Sequence, residues 1–248
     1  MARAAGSSLD APWRSLRPGS RQAAANRRGF AGLPRPRTCK ARLMSELLAV
    51  LQRSSELMIV QRRELMELFG VETRNKYAIE VNGAPLAFAA EQGRGGLAFL
   101  ARMFFGHWRR FEIHFFDNAR QLVLRAVHPF RFFFQRLEVH DATGRQLGAV
   151  QQRFSLLWKR FDVTDPSGRL LLRVASPIWR PWTFAFERDE RELARVEKKW
   201  SGMLTEVFTD ADRFRVAFES PELSLDERAL VLAAGIFIDL QSFEQKAR

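Results

Sequence analysis

The chain has 248 residues and a net charge of +12, and 46% of its residues are hydrophobic, enough to fill the core of one large domain. Its lone cysteine, Cys39, excludes an internal disulfide framework and a cysteine-built metal site. No run reaches the roughly 18–20 consecutive apolar residues that a membrane-crossing helix needs.

Residues 1–43 hold ten basic residues against one acid, Asp10, so nine of the twelve net charges belong to them. The segment is rich in Ala, Ser, Gly and Pro with no apolar period, so it is expected to be a disordered basic tail preceding a domain of residues 44–248. Two readings of it stay open. Its Arg-rich, acid-poor composition suits a mitochondrial transit peptide; it also suits an over-extended start with Met44 as initiator, which the preference for Arg over Lys along the whole chain favours. The high isoelectric point describes this tail, so nucleic acid is not expected as a partner of the domain, only of the tail.

Residues 44–53 read as a short helix with Ser45 as N-cap. Leu57 to Glu64 either continues that helix or forms a first strand. From Tyr77 the pattern becomes one of hairpins: Tyr77, Ile79 and Val81 alternate, Asn82-Gly83 gives a two-residue turn, and Leu86 and Phe88 alternate back. A repeat follows, in which Phe111, Leu137, Phe161 and Phe184 each open a strand that leads to a polar turn. Asp117, Asp141, Asp165 and Asp189 mark those turns at a spacing of 24 residues. Ser224 and Glu227 then have capping-box spacing, and Ala229–Ile238 (ALVLAAGIFI) is apolar on every face. A helix of that kind must be buried in protein or lipid, and at about 15 Å it spans half a bilayer core. About twelve strands make a barrel too wide to be filled by its own side chains. The expected fold is therefore mainly β, a closed antiparallel barrel around a central apolar helix that includes Ala229, Leu230, Val231, Leu232, Ile236, Phe237 and Ile238.

Catalytic signatures are missing. His107, His114, His128 and His140 have no metal-ligand spacing, no serine stands in a nucleophile elbow, and the Gly93–Gly96 stretch lacks the pattern of a phosphate loop. A non-enzymatic role is expected. Aromatic and basic residues interleave instead, around Trp108, in Phe130-Arg131-Phe132-Phe133-Phe134, and at Lys198-Lys199-Trp200. Such a mixture suits a membrane interface, although alternation across a sheet accounts for most of it. Three consecutive phenylalanines cannot all face one core, so part of 130–134 is expected to be exposed.

The string from Lys198 to Phe214 (KKWSGMLTEVFTDADRF), with Phe237-Ile238-Asp239 and Phe243-Glu244 after it and Glu64–Leu68, Glu72–Tyr77 and Phe88–Glu91 before it, resembles the phospholipid scramblase family over about residues 45–244. The resemblance implies a tubby-like barrel around a hydrophobic helix, association with membrane phospholipids, anionic ones foremost, and a proposed role in moving them between leaflets. It implies a place at the cytoplasmic face of a membrane such as the plasma membrane, or at mitochondria if residues 1–43 are a transit peptide. The alternatives are a lipid-binding tether that does not scramble and a protein-interaction scaffold. Family members often carry palmitoylated cysteines about where Phe130–Phe134 stands here; this chain has none there.

The family also implies calcium, bound by a twelve-residue loop that begins at Asp210. Asp210 and Asp212 fill its first and third positions. Phe214 and Phe218 stand where oxygen ligands are needed, Arg215 stands where glycine is needed, and Glu222 comes one place late. The segment reads better as a half-buried strand, and calcium binding is expected to be millimolar or absent.

Overall fold

The computed structural model describes residues 45–61, 76–92, 110–131, 133–156, 158–177, 179–180, 182–199 and 212–246. Residues 1–43 lie outside them. Helix α1 (Glu46–Arg53) starts at Ser45, whose hydroxyl accepts a bond from the Leu48 amide at 3.4 Å, and it buries Leu47 and Leu51. The ambiguous run after it is a strand, β1 (Glu56–Gln61), because its unpaired edge groups find partners on both sides, β2 (Lys76–Val81) and β12 (Arg213–Phe218).

Between them the chain runs up and down through β3 (Ala84–Glu91), β4 (Phe111–Asp117), β5 (Leu122–His128), β6 (Arg136–Asp141), β7 (Gln146–Arg153), β8 (Trp158–Thr164), β9 (Leu170–Pro177), β10 (Thr183–Arg188) and β11 (Arg191–Lys199). Each strand pairs antiparallel with its neighbours in sequence, and β1 closes the ring against β12. The expected closed antiparallel barrel is thus found, with twelve strands among the described residues. No open edge is left.

All five tight hairpins turn at one end of the barrel, and each carries a register shift just before its turn, which bends the strands toward closure. The sequence repeat explains the turns. Asp141 accepts bonds from the amides of Thr143 (2.8 Å) and Arg145 (3.1 Å), and Asp165 from those of Ser167 (2.9 Å) and Arg169 (2.9 Å). The fourth unit departs from this pattern. Asp189 and Glu190, at φ 51° and 62°, are themselves the left-handed pair of a two-residue turn.

Helix α2 (Leu225–Lys246) enters the barrel from this turn end. Ser224 and Glu227 form the reciprocal capping box, the Glu227 carboxylate accepting from the Ser224 amide at 2.8 Å and the Glu227 amide donating to Ser224 Oγ at 3.3 Å. Arg145 binds Asp226 at 2.8 Å, and Arg188 pairs with Glu227, so two hairpin turns hold the helix start. Arg228, buried, donates to the carbonyls of Ser54 (2.8 Å) and Leu51 (3.1 Å) and lies 4.5 Å over the Phe218 ring, tying α1 across the same end.

Past this clamp the helix is enclosed. Ala229, Leu230, Val231, Leu232, Ile236, Phe237 and Ile238 are each at most 2% exposed. Leu230 faces Gly148 on β7, while Gly235 faces Ile59, Val196 and Val216 on β1, β11 and β12, the opposite wall. The apolar faces of both elements are thereby removed from water together, which is why a helix without a polar side is stable here.

Candidate functional site

The outer wall of the barrel is polar. Glu112 and His114 on β4, Arg136 and Glu138 on β6, Asp162 on β8 and Glu197 with Arg215 on β11 and β12 form ion pairs along it. His114 and His140 flank Arg125 in the same register. Burial holds the His114 imidazole below its ordinary value, against the pull of Glu112. A barrel that crosses a bilayer shows the opposite arrangement, an apolar outer band and a polar lumen. No helix among the described residues is long and apolar enough to cross either.

The exposed apolar surface is concentrated at one end. Opposite the hairpin turns, the described residues of the rim belong to the connections β5–β6 (129–131 and 133–135), β7–β8 (154–156) and β9–β10 (179, 180 and 182). Seven large hydrophobic side chains are exposed among the described residues. Six of them, Phe130, Phe133, Phe134, Phe154, Leu156 and Trp179, belong to this rim, at 47–82% exposure; only Leu170 lies at the other end. A concentration of this kind marks an interaction surface rather than the scattered singles every protein carries.

The rim connections are held in place. His128, fully buried, stacks on Phe111 with ring centroids 4.5 Å apart and brings its Nε2 to 2.6 Å from Gln135 Oε1. Gln151 donates from its side chain to the Phe134 carbonyl at 2.7 Å. That bond fixes Phe134 at φ 51°, a conformation unfavourable for a bulky residue. In the β9–β10 connection Ser176 Oγ donates to the Arg180 carbonyl at 2.9 Å, and the Arg180 amide to the Pro177 carbonyl at 2.9 Å. The apolar tips are therefore presented, not merely loose.

Cations surround them. Arg131, Arg160 and Arg180 are exposed and have no carboxylate partner among the described residues. The acids nearby are taken: Glu112 by Arg110 at 3.3 Å, Glu138 by Arg136 at 2.9 Å, Glu197 by Lys199 at 2.9 Å and Asp212 by Lys198. The surface can lose its apolar tips from water while meeting anionic groups at their bases.

The residues singled out from the sequence fall in different places. Phe133 and Phe134 are on the exposed rim. Lys198 is turned inward: its side chain is 9% exposed, it pairs with Asp212, and its ammonium lies 5.1 Å over the Trp182 ring. It is a packed residue, not a surface cation. Lys199 reaches Glu197. Trp108, Phe132, Trp200 and Asp210 lie outside the described residues. Phe154, Leu156 and Trp179 were not anticipated. A signal for them exists, since Phe130, Phe154 and Trp179 follow one another by 24 and 25 residues, the period of the turn aspartates.

At the rim end of the interior, Tyr77 donates its phenolic proton to Asp239 Oδ2 at 2.9 Å, both residues being about 1% exposed. Burial first, and the Asp239 carboxylate second, push the Tyr77 phenol well above its ordinary value. This pair anchors the far end of the buried part of α2.

The residues for a calcium loop do not fit the ion. Asp212 is engaged by Lys198 at the rim, whereas Glu222 binds Arg191 at 3.1 Å at the turn end. The six residues of β12 lie between them, about 20 Å of strand. Phe214 and Phe218 point into the core at 1% and 6% exposure. No group of three or more His, Cys, Asp or Glu able to hold a metal is found among the described residues.

The family model described as Scramblase matches residues 36–245. A phospholipid scramblase family protein of Schizosaccharomyces pombe is 27% identical over 230 residues, covering 77% of this chain and 60% of its own length. Human phospholipid scramblase 2 is 29% identical, covering 80% of this chain and 70% of its own length. A Saccharomyces cerevisiae protein named altered inheritance rate of mitochondria protein 25 is 26% identical, covering 77% and 71%. The chain thus spans only about 60% of the length of its fission yeast relative. With the match extending across the barrel, its closing strand and the enclosed helix, this chain belongs to the scramblase family.

Proposed function

We propose that this protein is a phospholipid-binding member of the scramblase family that meets the bilayer from one side. Family membership supports membrane phospholipids as its partner, and the exposed arginines of the rim, which have no carboxylate partner among the described residues, favour anionic ones. The observation that carries the reading is the enclosure of Ala229–Ile238 in the barrel. The most apolar segment of the chain is already buried in protein, so the folded domain offers a bilayer its surface and no span.

Movement of phospholipid between leaflets needs a polar path through about 30 Å of hydrocarbon. A single barrel with a polar outer wall and a filled interior provides none. Transbilayer transport would require several copies acting together or the helix leaving the barrel, whereas a lipid-binding tether requires neither. A dithionite assay on fluorescent lipids in proteoliposomes separates the two. Bleaching beyond the outer-leaflet half at a rate rising with protein density supports scrambling; bleaching that stops at half, with the protein bound, supports the tether.

Two locations follow from the sequence and its relatives. The arginine-rich residues 1–43 and the mitochondrial name of the budding yeast relative favour mitochondria; if residues 1–43 are not a transit segment, the cytoplasmic face of another membrane, such as the plasma membrane, is the alternative. Fractionation of cells expressing the full chain and a chain starting at Met44 distinguishes them, because only a transit segment relocates the protein when removed.

A further inference from the structure

We propose that the rim opposite the hairpin turns is the docking face for an anionic lipid leaflet, with Phe133, Phe154, Leu156 and Trp179 entering the headgroup layer and the barrel axis steep to the membrane. The inference rests on the reading of the chain as a lipid-binding protein and specifies which surface binds and how it is oriented.

Three observations carry it. The first is placement. These side chains come from three separate connections, yet successive connections lie two strand spacings apart, about 10 Å, so the tips line one continuous arc of the rim. The second is recurrence. An exposed aromatic returns in each of the three connections, at Phe130, Phe154 and Trp179. Each is 47–72% exposed, so burial in the core does not by itself account for the repetition. The third is charge. Arg131 and Arg180 stand beside the tips in the chain and have no carboxylate partner among the described residues, while the neighbouring described acids are neutralised by their own cations. Aromatic tips with cations one layer behind them match the depth profile of a leaflet, with rings at the acyl boundary and guanidinium groups among the phosphates. Orientation follows: the clamp of Arg145, Arg188 and Arg228 around the start of α2 points away from the membrane, and the last turns of α2 point toward it.

The test uses the full chain and vesicles of phosphatidylcholine, alone or with phosphatidylserine, in about 0.3 M salt to screen the basic residues 1–43. The triple variant Phe133→Ser, Phe154→Ser, Trp179→Ser changes only exposed side chains, and circular dichroism checks its fold. It is expected to weaken vesicle binding about 100-fold, from the apolar area it withdraws. Leu170→Ser, an exposed apolar residue at the opposite end, is expected to leave binding unchanged. Lipids brominated in the acyl chains are expected to quench tryptophan fluorescence, and Trp179→Phe to reduce that quenching. Arg131→Glu with Arg180→Glu is expected to abolish the preference for phosphatidylserine.

Equal vesicle binding by the triple variant and the wild type would overturn the docking face and leave lipid binding intact. Failure of the wild type to bind either vesicle would instead overturn the lipid reading itself. Should the triple variant lose self-association in sedimentation while still binding vesicles, the rim is an interface between copies and the proposal fails.

Discussion

A methyl group added at Gly148 reports directly on whether the helix is threaded through the barrel. An alanine Cβ there would lie 2.2 Å from the Thr164 carbonyl oxygen and 2.9 Å from Leu230 Cδ1. Reaching ordinary contact requires β7 and β8 to separate by about 1 Å, which removes one or two ladder bonds at about 1 kcal/mol each. Crowding against the helix adds about 1–3 kcal/mol. Gly148→Ala should therefore destabilise by about 2–5 kcal/mol, lowering Tm by roughly 4–20 °C for a domain of this size. Gly235 is the control. Its added methyl would meet Ile59 Cδ1, the mobile end of a side chain, at 3.0 Å. Gly235→Ala also gains about 1 kcal/mol of helix propensity, so it should stay within about 1 kcal/mol of wild type. Urea unfolding followed by circular dichroism measures both. A Gly148→Ala protein as stable as the wild type would refute the packing of α2 against β7.

Tyr77 is the only tyrosine in the chain, so its titration can be read without interference. Its folded value is raised, so the stability it contributes is complete below the unfolded value near 10.0 and is lost as pH rises past it. Absorbance at 295 nm should stay flat through pH 10 and rise only with unfolding, and Tyr77→Phe should cost about 1–3 kcal/mol by removing the buried bond to Asp239. Burial raises the Asp141 carboxyl, but the bonds from Thr143 and Arg145 outweigh it and hold it below its ordinary 3.8. The stability gained this way is present above 3.8 and lost as pH falls through the lower folded value, so Asp141→Asn should destabilise more at pH 6 than in acid below 3.8, as paired urea titrations would reveal. Calorimetric titration with calcium should give millimolar affinity or none; micromolar binding abolished by Asp212→Ala would contradict the pairing of Asp212 with Lys198.

The parts of this fold that were legible in the sequence are those set by near neighbours. Alternation around Asn82-Gly83 and the bonds that Asp141 and Asp165 make within four residues are local, so hairpins could be read directly. The all-apolar Ala229–Ile238 run required enclosure, and the number of strands required something to enclose. Leu57 to Glu64 stayed ambiguous because eight residues carry too little period to choose, and β12, some 155 residues away, decides for the described part up to Gln61. The rim was half legible. Three adjacent phenylalanines announced that something near 133 must be exposed, but Phe154 and Trp179 became part of the same surface only once the topology placed their connections at one end. Lys198 misled because a lysine among aromatics looks like a surface cation until Asp212 and Trp182 are seen to enclose it.

The pairing of β1 with β12 has a consequence for how the molecule comes into being. The first strand cannot close the ring until the last has been made, and the helix that fills the ring follows that last strand in the chain. During synthesis, the strands wait with their inner faces wet, and the element that would dry them leaves the ribosome after all twelve. Folding of so non-local a ring is slow, and every intermediate short of the end is a sticky open sheet. A chain that stopped at Ser224 would supply the wall without its filling and should accumulate as aggregate rather than as a hollow barrel. Shelter is needed until the helix has been made, and the yield should depend on chaperones more steeply than the finished stability would suggest.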